Sequence, residues 1–233
     1  RIGFASPFDV PEPNKETILT IVLDLYETLI HSIVTEEDTT YPTIDTYVRP
    51  FAIDLINLLS AIPELEVIVW SAGVQAHVQA CLDVLDPKAQ IKYYVYRDSS
   101  YRNAHWDKEK KPEYTGKKIL SWLPGRAGRA ILFDDALPLG TYPFKNEHSE
   151  FTDRENPVIT INPFMNDVST DETYTNTTLM AVLSFALYAL DQMKKKPQHT
   201  YNLLSQVIYS FADDSITSLA YLNRLIIPRH KYP

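Results

Sequence analysis

TILTIVLDLYETLIHS, residues 17–32, decides how the rest of the chain is read. Its first nine residues are dense in β-branched and large apolar side chains. The run is too short for a typical helix and shows no alternation, so it reads as a strand buried on both faces. It meets Asp24 and passes into Tyr26, Glu27 and Thr28, a polar turn. Outward from it the pattern recurs. LEVIVW at 65–70 predicts a second strand, ending at Ser71, Ala72 and Gly73. IKYYVY at 91–96 predicts a third, RAILFD at 129–134 a fourth ending at Asp134 and Asp135, and PVITI at 157–161 a short fifth. Residues 51–62 carry apolar side chains at helical spacing and stop at Pro63. Residues 74–85 form a second helical stretch, closed by Asp86 and Pro87. The polar stretch 36–45 reads as a loop or hairpin, and 118–123 as a short helical turn. Strands and helices alternating at these lengths predict an α/β fold. Its core is a doubly wound, mostly parallel sheet covered on both faces.

The chain of 233 residues is 45% hydrophobic and 22% charged, an ordinary globular balance that excludes a disordered or fibrous protein. Its single cysteine, Cys81, rules out an intrachain disulfide and a cysteine-built zinc site. A net charge of −8 argues against nucleic-acid binding spread over the whole surface. Six glycines and no G-x-G-x-x-G or Walker A pattern argue against a dinucleotide or phosphate loop. The longest apolar stretch, 179–190, falls well short of the roughly 20 residues a membrane span needs. Residues 1–16 read as an extended, proline-marked lead-in. Residues 17–196 read as the main domain and 197–233 as a helical extension. In the first C-terminal helix Leu179, Val182, Leu183, Ala186, Leu187 and Leu190 share one face. Two further amphipathic helices follow, and they either cap this domain or dock a partner. The chain opens on Arg1 rather than Met, which leaves room for an upstream leader or domain.

Three predicted strands end in polar residues: Asp24, Ser71, and Asp134 with Asp135. Parallel strands bring such ends to one edge of the sheet, where α/β proteins bind ligands. Carboxylates meeting there suit Mg²⁺, a hard cation that takes oxygen ligands and substrate phosphates. A carboxylate beside that ion is also a candidate nucleophile, through an aspartyl-phosphate. Each aspartate alone fits a turn or a helix cap equally well.

The stretch 17–32 resembles the first motif of the haloacid dehalogenase superfamily. The resemblance is to its branch of RNA polymerase C-terminal-domain phosphatases (FCP/SCP-like), which typically reads L-D-L-D-E-T-L-x-H-S. Tyr47-Val48-Arg49-Pro50-Phe51 resembles the branch's approach to its first helix. EVIVWSAG at 66–73 resembles the second motif, KILSWL at 118–123 the third, AILFDDALP at 130–138 the fourth, and residues 162–171 the closing segment. The resemblance runs from about residue 17 to 190. It implies a haloacid dehalogenase-like Rossmannoid fold, with Asp24 as nucleophile and Mg²⁺ ligand. Thr28 and Ser71 would hold phosphate oxygens, and Lys118 would neutralise charge at phosphate and nucleophile. Asp134 would bind the metal, with Asp135 supporting it through water.

Position 26 is where the chain departs from the pattern. The branch places its general acid there, an aspartate that protonates the leaving alcohol and later activates water. This chain has Tyr26. A positioned acid–base group is worth roughly 10²–10⁴ in rate, and a phenol of pKa near 10 is a poor base at neutral pH. Tyrosine can still offer its backbone carbonyl to the metal, as that position does in the family. Ile119 also stands where the branch often has aspartate. The expectation is a catalytically degenerate, phosphatase-like domain that binds proteins, as a scaffold subunit in a larger assembly. The alternative is a slow Mg²⁺-dependent phosphoprotein phosphatase using Asp24. A phosphatase-like receptor of mitochondrial protein import belongs to the same branch. That precedent makes a mitochondrial location the expectation by analogy, with cytoplasm or nucleus as the alternative.

Residues 102–129 hold eight Lys or Arg against Asp107, Glu109 and Glu113, with Trp106, Tyr114 and Trp122 interleaved. Such a segment fits RNA, an acidic partner or a phosphopeptide, and equally a solvated loop. A third expectation is therefore an RNA-associated scaffold. His31 reads as structural, and His77, His105, His148, His199 and His230 show no metal-ligand spacing. Cys81 sits on an apolar helix face and reads as buried and inert.

Overall fold

The computed structural model describes residues 1–34, 44–97, 118–135, 158–165 and 172–195. In chain order its elements are β1 (Ile2–Phe4), β2 (Leu19–Leu23), β3 (Ile30–Val34), β4 (Ile44–Val48), α1 (Ala52–Ser60), β5 (Leu65–Val74), α2 (Gln75–Leu85), β6 (Tyr93–Arg97), β7 (Ala130–Asp134), β8 (Val158–Thr160) and α3 (Glu172–Lys195). Single 3₁₀ turns lie at Pro7–Asp9 and Leu120–Trp122.

The apolar run at 17–25 becomes the middle of the sheet. Every residue of β2 is buried. It pairs in parallel with β5 on one side and β7 on the other. The six-stranded sheet has the order β1-β6-β5-β2-β7-β8, and all its described pairings are parallel. From β2 the chain builds outward through β5 and β6. It then returns to the other flank for β7 and β8. The reversal at β2 is a topological switch point, and parallel pairing puts every carboxyl end on its rim.

Alternate side chains of the strands feed two cores. Leu19, Ile21, Leu23, Val67, Val69, Ile131 and Phe133 face the cluster shared with α1, α2 and α3. Val22, Ile68, Trp70, Val95 and Leu132 face the opposite way, against Val10, Leu120 and Leu123. Both faces are thus covered, but the three described helices share one of them. The other is closed by the lead-in and the turn at Leu120–Trp122.

Two details differ from the sequence reading. Residues 2–4, left in the lead-in, form an edge strand beside β6. The second strand does not stop at Trp70 but runs to Val74, with a register irregularity between those residues. The polar excursion is flanked by β3 and β4, which pair antiparallel, so the hairpin is the alternative realised. The two helices expected after residue 196, and most of the basic stretch, lie outside the described residues.

At the amino end of the sheet a buried ion pair links distant segments. Arg126 is fully buried. Its Nε and Nη2 donate to the two oxygens of Glu66 at 2.6 and 2.7 Å, and Nη1 donates to the Pro124 carbonyl at 2.8 Å. Thr20 Oγ1 donates to the same carboxylate at 2.8 Å. Removing one partner strands the other charge without water. Arg126→Ala should therefore lower unfolding stability by roughly 3 kcal/mol in a urea titration. A loss below about 1 kcal/mol would mean the pair behaves as a solvent-screened one.

Candidate phosphate and metal site

The nucleophile candidate follows directly from β2. The Asp24 backbone N–H donates to the Phe133 carbonyl at 2.9 Å, which ties the end of β2 to β7. The chain then turns sharply. The Leu25 carbonyl accepts from Leu29 and Ile30 at 2.9 and 3.1 Å, and Glu27 takes a left-handed backbone with φ 53°. Few residues other than glycine adopt that region, so the surroundings must hold the turn in place. They do so from two sides. Phe164 N–H donates to the Glu27 carbonyl at 2.6 Å, and the buried Arg49 donates from Nη1 to the Thr28 carbonyl at 3.1 Å. The Arg49 guanidinium also stacks over the Phe164 ring at 5.8 Å. Burial pulls its pKa down to about 10, opposed by the nearby Asp135 carboxylate. His31 Nδ1 meets Glu27 Oε1 at 3.1 Å, which fits the structural role expected of it.

Asp24, Thr28, Lys118 and Asp134 are all buried and joined by hydrogen bonds. Lys118 Nζ donates to Asp24 Oδ1 and, at 2.7 Å, to Asp134 Oδ2. Thr28 Oγ1 donates to Asp24 Oδ2 at 3.3 Å. Burial raises the Asp24 pKa to about 6. Lys118 opposes that shift, and the Asp134 charge adds to it. Burial acts to lower the Lys118 pKa, but Asp24 and Asp134 outweigh it and hold the ammonium charged.

The Asp24 shift has a sign in stability. Its folded pKa lies above the ordinary 3.8 of an aspartate, so the folded state binds the proton more tightly than the unfolded chain. That stabilising contribution is full below about pH 4 and is lost as pH rises through about 6. Asp24→Asn should therefore be more stable than the natural protein at pH 7, by about 1–3 kcal/mol, and the gap should close toward pH 4. Denaturant midpoints across that range give the check. A gap that widens on acidification would reverse the assignment.

Each of Asp24, Asp134 and Asp135 offers a carboxylate oxygen, and these atoms all lie within 4.8 Å of one another. Three hard oxygen donors converging at that spacing fit Mg²⁺. Ser71 is buried in β5, the neighbour of β2. Its Oγ accepts from the Gly73 N–H at 3.0 Å, which leaves its own proton for another acceptor. The amino end of α2 follows at once and has no side-chain cap.

Tyr26 is turned toward α2. Its ring lies parallel to the His77 imidazole, with centroids 5.7 Å apart and planes 9° apart. Its hydroxyl and ring edge rest on Gly73, where an added Cβ would run into both. Burial pushes the phenol pKa above its ordinary value, so it stays protonated. His77 Nε2 lies 3.4 Å from Ser32 Oγ and 3.5 Å from Cys81 Sγ, linking the β3–β4 hairpin to α2. Burial raises the Cys81 thiol to about 11, in keeping with an inert cysteine.

A model of the NLI interacting factor-like phosphatase family matches residues 19–194. The chain belongs to that family. Among curated relatives it resembles the mitochondrial import inner membrane translocase subunit TIM50 of Caenorhabditis elegans. The two are 29% identical over 104 residues, 44% of this chain and 22% of that one. It also resembles CTD small phosphatase-like protein 2 of Dictyostelium discoideum, 29% identical over 100 residues, 38% of this chain and 17% of that one. The matched stretch spans about a fifth of the length of these relatives. Among solved structures, the fission yeast RNA polymerase II CTD phosphatase Fcp1-R271A, bound to beryllium fluoride, overlaps 88% of this chain and 67% of its own. That overlap has a TM-score of 0.45 and 12% identity.

Membership in the phosphatase family is therefore shown, as is the mostly parallel α/β sheet. The structure brings several of the expected residues together: Thr28 and Lys118 each donate to Asp24, Lys118 donates also to Asp134, and an Asp135 oxygen lies within 4.8 Å of the Asp24 and Asp134 carboxylates. Ser71 stands at the same rim. The sequence reading missed the parts that hold these groups. In the sequence Arg49 is only part of a motif, and Phe164, Gly73 and His77 carry no assigned role. No short-range signal marks them, because each acts across a tertiary contact.

Proposed function

We propose that this domain is a phosphatase-family fold used mainly to bind protein partners, with little or no turnover of physiological phosphate esters. The observation that carries the reading is Tyr26. It stands at the family's general-acid position, packed on Gly73 and His77. The groups expected to hold phosphate and metal are otherwise present. Asp24, Asp134, Asp135 and the Tyr26 carbonyl would hold Mg²⁺, which when bound screens phosphate charge. Lys118 holds the Asp24 carboxylate in place, while Thr28 and Ser71 offer hydroxyl donors. No described residue takes over the carboxylic acid's role at position 26.

The TIM50 relative, an inner membrane translocase subunit by name, supports a mitochondrial, assembly-bound role. Cytoplasm or nucleus is the alternative location. No described helix is long and apolar enough to cross a membrane. We propose 17–196 as the domain, with 197–233 as an extension that either caps it or docks a partner.

The second reading, a slow Mg²⁺-dependent phosphoprotein phosphatase, is favoured by the intact contacts of Asp24 with Thr28 and Lys118. A phosphoserine ester separates the two, because its alkoxide leaving group must be protonated. Hydrolysis is measured with and without Mg²⁺ for the natural protein and Asp24→Asn. The proposal expects both to stay near background. Asp24-dependent, Mg²⁺-dependent turnover would make the domain an enzyme. The RNA-associated reading rests on residues 102–129. It predicts salt-sensitive binding that is lost when Lys108, Lys110 and Lys111 are neutralised.

A further inference from the structure

Lys118 reaches Asp24 and Asp134 from a stretch of backbone that cannot place it unaided. It stands just before the 3₁₀ turn at Leu120–Trp122, which has no side-chain cap at its start. Trp122 N–H donates to the Ile119 carbonyl and Leu123 N–H to the Leu120 carbonyl, both at 3.0 Å. A single 3₁₀ turn gains little from such bonds, so its position must come from what packs on it. Leu120 and Leu123 are buried in the cluster that holds Val22, Ile68 and Leu132 of the sheet. The lead-in packs on the same turn. Val10 is buried in that cluster too, and Phe8 lays its ring on Trp122 with centroids 5.4 Å apart. Just beyond the turn, Glu12 and Pro13 lie against Gly125.

The lead-in is itself held at both ends. At its start β1 pairs with β6, and the Arg1 guanidinium donates to Asp83 Oδ1 at 2.8 Å and to the Asp86 carbonyl, near the end of α2. At its end the Ile18 N–H donates to the Glu64 carbonyl at 2.8 Å, where the chain enters β2. Between these anchors Ser6 Oγ accepts from the Phe8 N–H at 3.3 Å, which caps the turn at Pro7–Asp9 and sets the direction of Phe8. Pro7, Pro11 and Pro13 restrict the backbone, so docking it costs little entropy.

We propose that the lead-in is a clamp on the site: Phe8 and Val10 are positioning residues that seat the turn carrying Lys118, and through it they set the contact of Lys118 with Asp24 and Asp134. The inference goes beyond the proposed function and holds whether or not the site turns phosphate over. It also ties the site to an outer edge of the sheet. Phe8 is 60% exposed, so the clamp is reachable from solvent, and a change that lifts it frees Lys118.

The test is acetylation of the native protein by a brief pulse of an N-hydroxysuccinimide ester, with modified lysines located by peptide mass spectrometry. Lys118 is buried and should label slowly, while the exposed Lys92 labels fast and serves as the reference. Phe8→Ala and Val10→Ala should each raise the Lys118 rate relative to Lys92 by about tenfold, through local opening of the turn. Phe8→Tyr keeps a ring on Trp122 and should keep Lys118 protected. Leu55→Ala is the control, because it cuts a cavity in the core on the opposite face of the sheet. It should destabilise the domain and still leave Lys118 protected. Unchanged protection in both Phe8→Ala and Val10→Ala would overturn the clamp. A rise in Leu55→Ala as large as theirs would overturn it as well, since the lead-in would then contribute stability alone. If Val10→Ala does not fold, Phe8→Ala decides, because so exposed a ring fills no core.

Discussion

Tyr26→Asp is expected to gain Mg²⁺-dependent hydrolysis of phosphate esters, by roughly 10²–10⁴ over the natural protein. The gain should be greatest for alkyl phosphates, where the leaving oxygen must be protonated. It should vanish in the double variant with Asp24→Asn. The reason is local. Asp24 is already held by Thr28 and Lys118, and Asp134 and Asp135 already stand beside it. On the reading proposed above, the chain lacks one acid–base group rather than a site. The same substitution removes an aromatic ring from its slot against Gly73 and His77, so a stability loss of about 1–3 kcal/mol should accompany it. Steady-state rates together with urea midpoints check both parts. If the variant folds, binds Mg²⁺ and still shows no Asp24-dependent turnover, the lost acid is not what silences the domain.

Lys118→Met is expected to be the most destabilising single change at the site, by roughly 3–5 kcal/mol. Lys118, Asp24 and Asp134 have side chains only 7%, 9% and 5% exposed. Methionine matches the stem of lysine but leaves two carboxylates facing each other in a dry pocket. Adding Asp24→Asn to Lys118→Met should recover a good part of the loss, because one of the stranded charges goes with it. Mg²⁺ should recover part of it too, by supplying another cation to the same oxygens. A double-mutant cycle in urea, with and without Mg²⁺, measures these couplings. Near-additive losses would show that Lys118 is not the counter-ion of Asp24 in solution.

Much of this was legible in the chain. The apolar run before Asp24 reads as a doubly buried strand, and its five-residue core, Leu19–Leu23, is buried throughout. The strand at 129–134, the helix at 51–62 and the short turn near Leu120 lie close to where periodicity puts them. The three-residue β1 was not legible, because so short a segment has no period and becomes a strand only by borrowing the edge of β6. Nor was the extension of β5 past Trp70, since Ser71, Ala72 and Gly73 look like a turn and are held in the sheet by tertiary packing.

The sequence by itself determined that the chain builds a parallel α/β sheet and that Asp24, Ser71, Asp134 and Asp135 end up on one rim. Strand direction alone dictates that, once the strands are recognised. It also determined that a tyrosine occupies the acid's position. Only the tertiary structure decided what that tyrosine does. Its ring has two courses open to it by sequence, into the phosphate pocket or aside, and Gly73 and His77 on the neighbouring strand and helix settle the matter. Likewise only the fold brings Lys118 to Asp24 across 94 residues of chain and encloses both. Burial, and with it the raised pKa of the carboxylate, is a property of what surrounds a group in space, which local sequence does not encode.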